Sequence, residues 1–216
     1  MTKKINLSFG LFAAFSSVCV LGCASSLPSS TSKSNETIGP KQIFPLQVGN
    51  TYIMKKDYYS FKTGIYYMTA FDTTRIVDTE RLNNQTYYVT NKKEIVIDAP
   101  DGYRSDKGRV LEAKYPGKVG DKYYYYTKIN NYTPPDTTTG TWEIIDTNDL
   151  VTVPAGTFSC YKYRLEAIGK SGKLWLRSFD WWSPGFGLIK TETYHVDSSG
   201  NMPLFGKGEL VKEELK

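Results

Sequence analysis

The stretch "FSCYKYRLEA", residues 158–167, decides the fold class. Ser159, Tyr161, Tyr163, Leu165 and Ala167 fall on one side of it, and Phe158, Cys160, Lys162, Arg164 and Glu166 on the other. A period of two is that of a β-strand, because successive Cβ atoms point to opposite faces. The second side ends in charge and is expected to meet water along most of its length, as in a strand of an antiparallel sheet.

The same signature recurs outward in both directions. Toward the N-terminus lie 51–57, 64–78, 85–91, 94–99, 108–115 and 122–129; beyond lie 142–147, 174–182, 188–196 and 208–215. These runs are rich in Tyr, Thr, Val, Ile, Phe and Trp, residues that suit a pleated surface. Breaks at Asn83-Asn84, Pro100-Asp101-Gly102, Pro154-Ala155-Gly156, Ser171-Gly172, Ser183-Pro184-Gly185 and 198–201 supply the backbone angles of turns. No long window between breakers carries a helical period. The expectation is one all-β domain over 44–216, an antiparallel meander in a strongly curved sheet or open barrel, because a twisted sheet of many strands curls or closes and so removes exposed edges.

Two segments repeat. "FPLQVGNTY" (44–52) and "YPGKVGDKY" (115–123) share aromatic, Pro, Val-Gly, Asn/Asp and Tyr at matching places. Pro restricts the backbone ahead of the strand, and Val-Gly-Asn/Asp makes a turn into it.

The first 22 residues carry Lys3 and Lys4 ahead of an apolar run from Leu7 to Leu21, the pattern of a secretion signal. The run is shorter than the roughly 20 apolar residues a spanning helix needs and is diluted by Ser8, Gly10, Ser16 and Ser17. Val20, Leu21, Gly22 and Cys23 resemble the lipobox of bacterial lipoproteins. That resemblance implies a diacylglycerol thioether on Cys23, cleavage before it and acylation of the new amino group. The alternative is a conventional signal cleaved elsewhere. Residues 23–43, dominated by Ser, Thr and Pro, bury too little apolar surface to order themselves and form a flexible tether. Removal of the leader also takes Cys19, so with Cys23 lipidated only Cys160 keeps a free thiol and no internal disulfide is available.

The chain further resembles a group of bacterial envelope lipoproteins for which no activity is established. Three motifs carry this resemblance: aromatic-Pro-Leu-x-Val-Gly-Asn-x-Trp/Tyr at 44–52, Val-Pro-Ala-Gly-Thr-Phe at 153–158 and Pro-Gly-x-Gly-Leu-Ile-Lys at 184–190. It implies an antiparallel β domain in the cell envelope. Ala24 stands where an Asp often marks inner-membrane retention, so the outer membrane is the expected address.

Catalytic chemistry finds little support in the residues. The whole chain carries a formal charge of +5, less once Lys3 and Lys4 leave, with no dense basic block, so no nucleic-acid partner is expected. His195 is the single histidine and Cys160 an isolated thiol; neither has a nucleophile motif beside it. "GKSGK" (169–173) lacks the earlier glycine of a phosphate loop and reads as a hairpin turn. "DTNDL" (146–150) and "DSSGN" (197–201) match no calcium loop and read as surface turns, and one His with one thiol cannot close a zinc site. No cofactor is expected. Asn-x-Thr triplets at Asn35, Asn84 and Asn131 have no meaning in a bacterial envelope.

Aromatic residues remain. Trp175, Trp181, Trp182 and Phe186 crowd the C-terminal third as candidate ligand contacts, and Trp181 and Trp182, as strand neighbours, cannot fill one core together. The expected function is a non-catalytic, membrane-anchored binding module for an apolar or glycan ligand or an envelope protein. The alternative is a structural or surface-interaction lipoprotein without a cavity; a hydrolase comes third.

Overall fold

The computed structural model describes residues 42–60, 63–128, 137–169, 172–197 and 199–216. These form an all-β protein: β1 (Thr51–Tyr59), β2 (Tyr66–Leu82), β3 (Gln85–Thr90), β4 (Ile95–Ala99), β5 (Gly102–Ser105), β6 (Val110–Lys114), β7 (Lys122–Lys128), β8 (Thr137–Val153), β9 (Gly156–Ile168), β10 (Leu174–Ser183), β11 (Gly187–His195) and β12 (Leu204–Glu214). All twelve lie in one antiparallel sheet in the order β6-β5-β4-β3-β2-β1-β12-β11-β10-β9-β8-β7. The first and last strands pair in mid-sheet, and the two edge strands, β6 and β7, are consecutive in sequence. The meander is therefore one pairing short of a closed barrel. Across that seam the Tyr123 hydroxyl donates to the Glu112 carbonyl at 2.9 Å and the Tyr163 hydroxyl to the Lys114 carbonyl at 2.7 Å. Tyrosine hydroxyls thus occupy edge carbonyls that would otherwise be open.

Three local expectations are corrected. Pro100-Asp101 alone makes the break, and Gly102 already opens β5, a strand too short for a periodicity reading. "DTNDL" is no surface turn: it lies inside β8, whose register with β9 shifts between Ile144 and Asp146 and again between Asp146 and Asp149. The Asp146 carboxylate accepts the Asn148 N–H at 2.8 Å, so a turn-like side-chain bond is satisfied within a bulged strand. On β9, Lys162, Arg164 and Glu166 are half-exposed as expected, but Phe158 and Cys160, on the same side, are buried in the core with Val151 and Val153. The tip of the β8–β9 hairpin reaches β12, where the Ala155 N–H donates to the Leu210 carbonyl at 3.1 Å. Alternation assigns a face; it does not say what folds over that face.

The sequence repeat is a structural repeat. The Gly49 N–H donates to the Ile76 carbonyl, the Ile76 N–H to the Asn50 carbonyl and the Asn50 N–H to the Gln47 carbonyl. In the second copy Gly120 bonds Ile144, Ile144 bonds Asp121, and Asp121 bonds Lys118 in the same pattern. Each turn starts a strand and fixes its register against a fully buried isoleucine on the next.

One end of the sheet, here the lower end, is closed by chain packing. Ile43, Phe44 and Leu46 are buried there, and the Phe44 ring lies 4.5 Å from Tyr52, 4.9 Å from Tyr103 and 6.2 Å from Trp182. Gly187, at φ +89, faces the same ring so closely that a Cβ would come within 2.3 Å of it. The Gly185 N–H donates to the Gln42 carbonyl at 2.7 Å. Asn50 donates from Nδ2 to the Pro45 carbonyl at 2.8 Å and accepts the Lys216 N–H at 2.9 Å. The three motifs of the sequence therefore converge on the lower end as a packing device.

Candidate functional site

Register across the inner face sets out the candidate site. Lys56, Gly208, Thr191, Asp180, Tyr163 and Ile144 are paired successively across β1, β12, β11, β10, β9 and β8. One step toward the upper end the row is Tyr58, Gly206, Thr193, Ser178, Leu165 and Trp142. Glycine and short hydroxyl side chains in the middle of both rows leave a trough. A Cβ on Gly206 would meet nothing nearer than the Asp57 carbonyl at 3.9 Å. One on Gly208 would approach the Thr191 methyl to 2.7 Å, so the trough narrows downward.

Strands β5 and β6 lie across the interior from β10, with Tyr103 at 5.4 Å from Trp182. Glu112, Asp180 and Tyr103 are enclosed by protein, yet each keeps some accessible surface. Burial pushes the Asp180 carboxyl up to about 6, against the Thr191 hydroxyl, which donates to it at 2.6 Å, and the nearby Trp182 indole. Burial likewise pushes Glu112 up to about 7, against the Ser105 hydroxyl donating at 2.5 Å; the Asp180 charge adds to the rise. Asp98, below them, rises to about 6 by burial although the backbone N–H groups of Ile43 and Phe44 bond to it. On the opposite wall the Lys56 and Lys92 ammonium groups each lie 2.5 Å from the Asp72 carboxylate. Burial alone would raise Asp72, yet the two lysines hold it below the usual range. The trough thus offers hydroxyls, carboxyls with raised proton affinity and an ammonium pair, a set suited to hydrogen-bonding a polar ligand.

The residues singled out from the sequence do not converge here. Trp182 lies on the inner face, buried against Phe44 and Tyr103 beneath the trough. Trp181 lies on the outer face, also buried; its indole N–H donates to Asp149 at 2.8 Å, with Lys162 and Lys190 Nζ at 4.8 and 4.6 Å from its ring. Both rings are thus taken up by protein contacts. Trp175 packs at 5.2 Å from the His195 ring, near the upper end, and Phe186 lies edge-on to Phe158 at 5.2 Å, partly exposed. Cys23 and the leader lie outside the described residues, as do most of the tether and Asn131. Cys160 is fully buried, and its thiol is pushed up to about 12 by that burial. His195 is shifted down by burial between Trp175 and Phe205. Among the described residues no group of three His, Cys, Asp or Glu is placed to hold a metal ion. "DSSGN" closes on itself: the Asp197 carboxylate accepts the N–H groups of Ser199 and Asn201 at 2.8 and 2.9 Å.

Sequence reasoning passed over Asp180, Glu112, Gly206 and Gly208. Two signals were there to find: an acid set among aromatics in "FDWW" (179–182), and glycines two apart in "FGKGEL" (205–210), which open the same face of a strand. A concavity of about 480 Å³ on the outer face, lined in part by Lys122, Tyr124, Glu143, Arg164 and Glu166, offers less. Its charges are already matched, Arg164 to Glu143 at 2.7 Å and Glu166 to Arg177 at 2.5 Å.

Residues 127–202 match the family described as DUF3108-like. No curated protein matches the chain. Among solved structures, the chain is similar to one from Parabacteroides distasonis ATCC 8503 named as a candidate lipoprotein, at 16% identity and TM-score 0.47, covering 82% of this chain and 100% of that one. A candidate exported protein with YmcC-like fold from Bacteroides fragilis NCTC 9343 is 14% identical at TM-score 0.48, over 81% and 100% of the two chains. The hypothetical lipoprotein YmcC of Escherichia coli K12 is 9% identical at TM-score 0.35, over 81% and 88%.

Proposed function

We propose that this chain is a lipid-anchored protein of the bacterial cell envelope, held at the outer membrane through Cys23, whose β domain binds a ligand in the inner-face trough and does not transform it. The observation that carries the binding role is the pair of rows Gly208, Thr191, Asp180 and Gly206, Thr193, Ser178 with Glu112 across from them: small side chains in the middle of the sheet, and carboxyls raised by burial that keep accessible surface. Hydroxyl and carboxyl linings favour a polyhydroxylated, glycan-type ligand over an apolar one, because an apolar ligand offers nothing to the acceptor sites that the Thr191 and Ser105 hydroxyls leave open on the two carboxyls. The non-catalytic reading is supported by the buried, high-pKa Cys160 thiol and by the packing of His195 between aromatic rings.

The binding role is tested by native mass spectrometry of the full chain extracted from bacterial membranes. The expected result is a co-purifying mass that is lost in Gly206→Leu, whose side chain fills the trough; an empty wild-type protein overturns the reading. The anchor is tested separately by palmitate labelling of wild type and Cys23→Ala. Loss of label and release from membranes in the variant is expected, and unchanged behaviour overturns it.

A further inference from the structure

We propose that the upper part of β2 is a homodimer interface, at which two copies of this chain join edge to edge in one continuous sheet. β2 pairs with β1 through Tyr66–Arg75, whereas β3 pairs only with its later part, from Ile76 to Leu82. The Ile76 backbone bonds to Gly49 and Asn50 on the β1 side, and the Arg75 backbone bonds to Asn91 on the other. Alternation then directs the N–H and C=O groups of Thr73, Phe71 and Thr69 away from β1. Asn91 takes up the outward groups of Arg75 and the Thr73 carbonyl, the latter through Nδ2 at 3.1 Å, and stops there. Above it, among the described residues, no strand pairs with the outward side of Thr69 and Phe71. This edge lacks the usual protection: 63–71, "TGIYYMTAF", holds no charge, and Ile65, Tyr67 and Phe71 are 67%, 59% and 66% exposed.

The occupant that fits is a second copy. Pairing two β2 edges antiparallel about Ala70 sets Thr69 of each copy opposite Phe71 of the other, so all the outward groups of both residues bond reciprocally. The two Ala70 residues then meet in the close, non-hydrogen-bonded position, where only small side chains fit easily. The two Phe71 rings lie diagonally on the outer face, within reach of one another. With no charge on the edge, nothing repels an identical strand. This interface is independent of the trough and of whether a ligand occupies it.

The test uses the full chain in its own membrane. Ala70→Cys is oxidised in the membrane fraction and run without reductant. A band at twice the chain mass is expected, absent from wild type, and reduced at least tenfold when Phe71→Glu is added to set like charges across the two-fold. Leu150→Cys, on an exposed strand position far from this edge in the sheet order, controls for random collision. Four results overturn the proposal: Ala70→Cys remains at chain mass while a water-soluble maleimide labels it; it is neither labelled nor linked; it links to a species of another mass; or Leu150→Cys links equally well.

Discussion

The lower end of the sheet and the trough above it are built from the same strands but solve opposite problems. At the lower end side chains meet partners: Asn50 bonds Pro45 and Lys216, Tyr52 donates to the Pro45 carbonyl at 2.7 Å, and Phe44 fills the hollow that Gly187 leaves. In the trough the room at Gly208 is taken by the Thr191 methyl, but none is taken at Gly206, where a Cβ would meet nothing nearer than 3.9 Å, and Asp180 and Glu112 carry raised pKa values. A glycine thus means close packing at Gly187 and room at Gly206. The difference is whether a neighbouring segment arrives to occupy the room.

The largest effects are expected where the room is occupied. Phe44→Ala removes a buried ring from the lower end and is expected to cost about 3–5 kcal/mol in urea unfolding. Gly187→Ala is expected to cost no less, since it adds strain at φ +89 to a clash with the same ring. Equal stability of either variant and wild type would dissolve the contrast. Asn50→Ala, which leaves a carbonyl and an N–H without their partner, is expected to cost about 1–3 kcal/mol.

The trough is expected to show itself in pH. Asp180 and Glu112 bind protons more tightly in the folded chain than in the unfolded one, so they stabilise the fold below the ordinary carboxylate range. That contribution is lost as pH rises from about 4 to about 7, through their folded values. Discounted for the solvent they reach, the pair contributes on the order of 2 kcal/mol across that window. Asp72 and Glu192, held low by lysines despite their burial, act oppositely and only below pH 4 or so. Asp180→Asn is expected to flatten the fall between pH 5 and pH 7; an unchanged slope in chemical unfolding would refute the raised carboxyl. Smallest of all, Gly206→Ala is expected to move stability by no more than about 0.5 kcal/mol, because a Cβ there meets nothing nearer than the Asp57 carbonyl at 3.9 Å. A loss of several kcal/mol would mean that the space is not there.

Much of the frame was legible in the residues. Period-two runs between turn signals placed most strands, and the repeat at 44–52 and 115–123 foretold two turns that bond alike. The motifs that looked most specific proved to be joints of the lower end, where Phe44, Ala155 and Gly185 bring distant segments together. The ligand candidates were drawn from tryptophans because large aromatic rings stand out in a sequence. The trough was missed because it is made of small residues, on four strands, that acquire meaning only side by side.

The sequence by itself determined that the chain is a β-meander and where most of its turns fall, because these follow from local alternation and from the backbone preferences of Gly, Pro, Asn and Asp. Only the tertiary structure decided that β1 and β12 pair with each other, that Trp181 and Trp182 both end in protein contacts on opposite faces, and that Asp180 comes near enough to Glu112 for its charge to be felt there. Those outcomes depend on register between strands far apart in the chain, and register is set by the whole sheet at once, not by any segment of it.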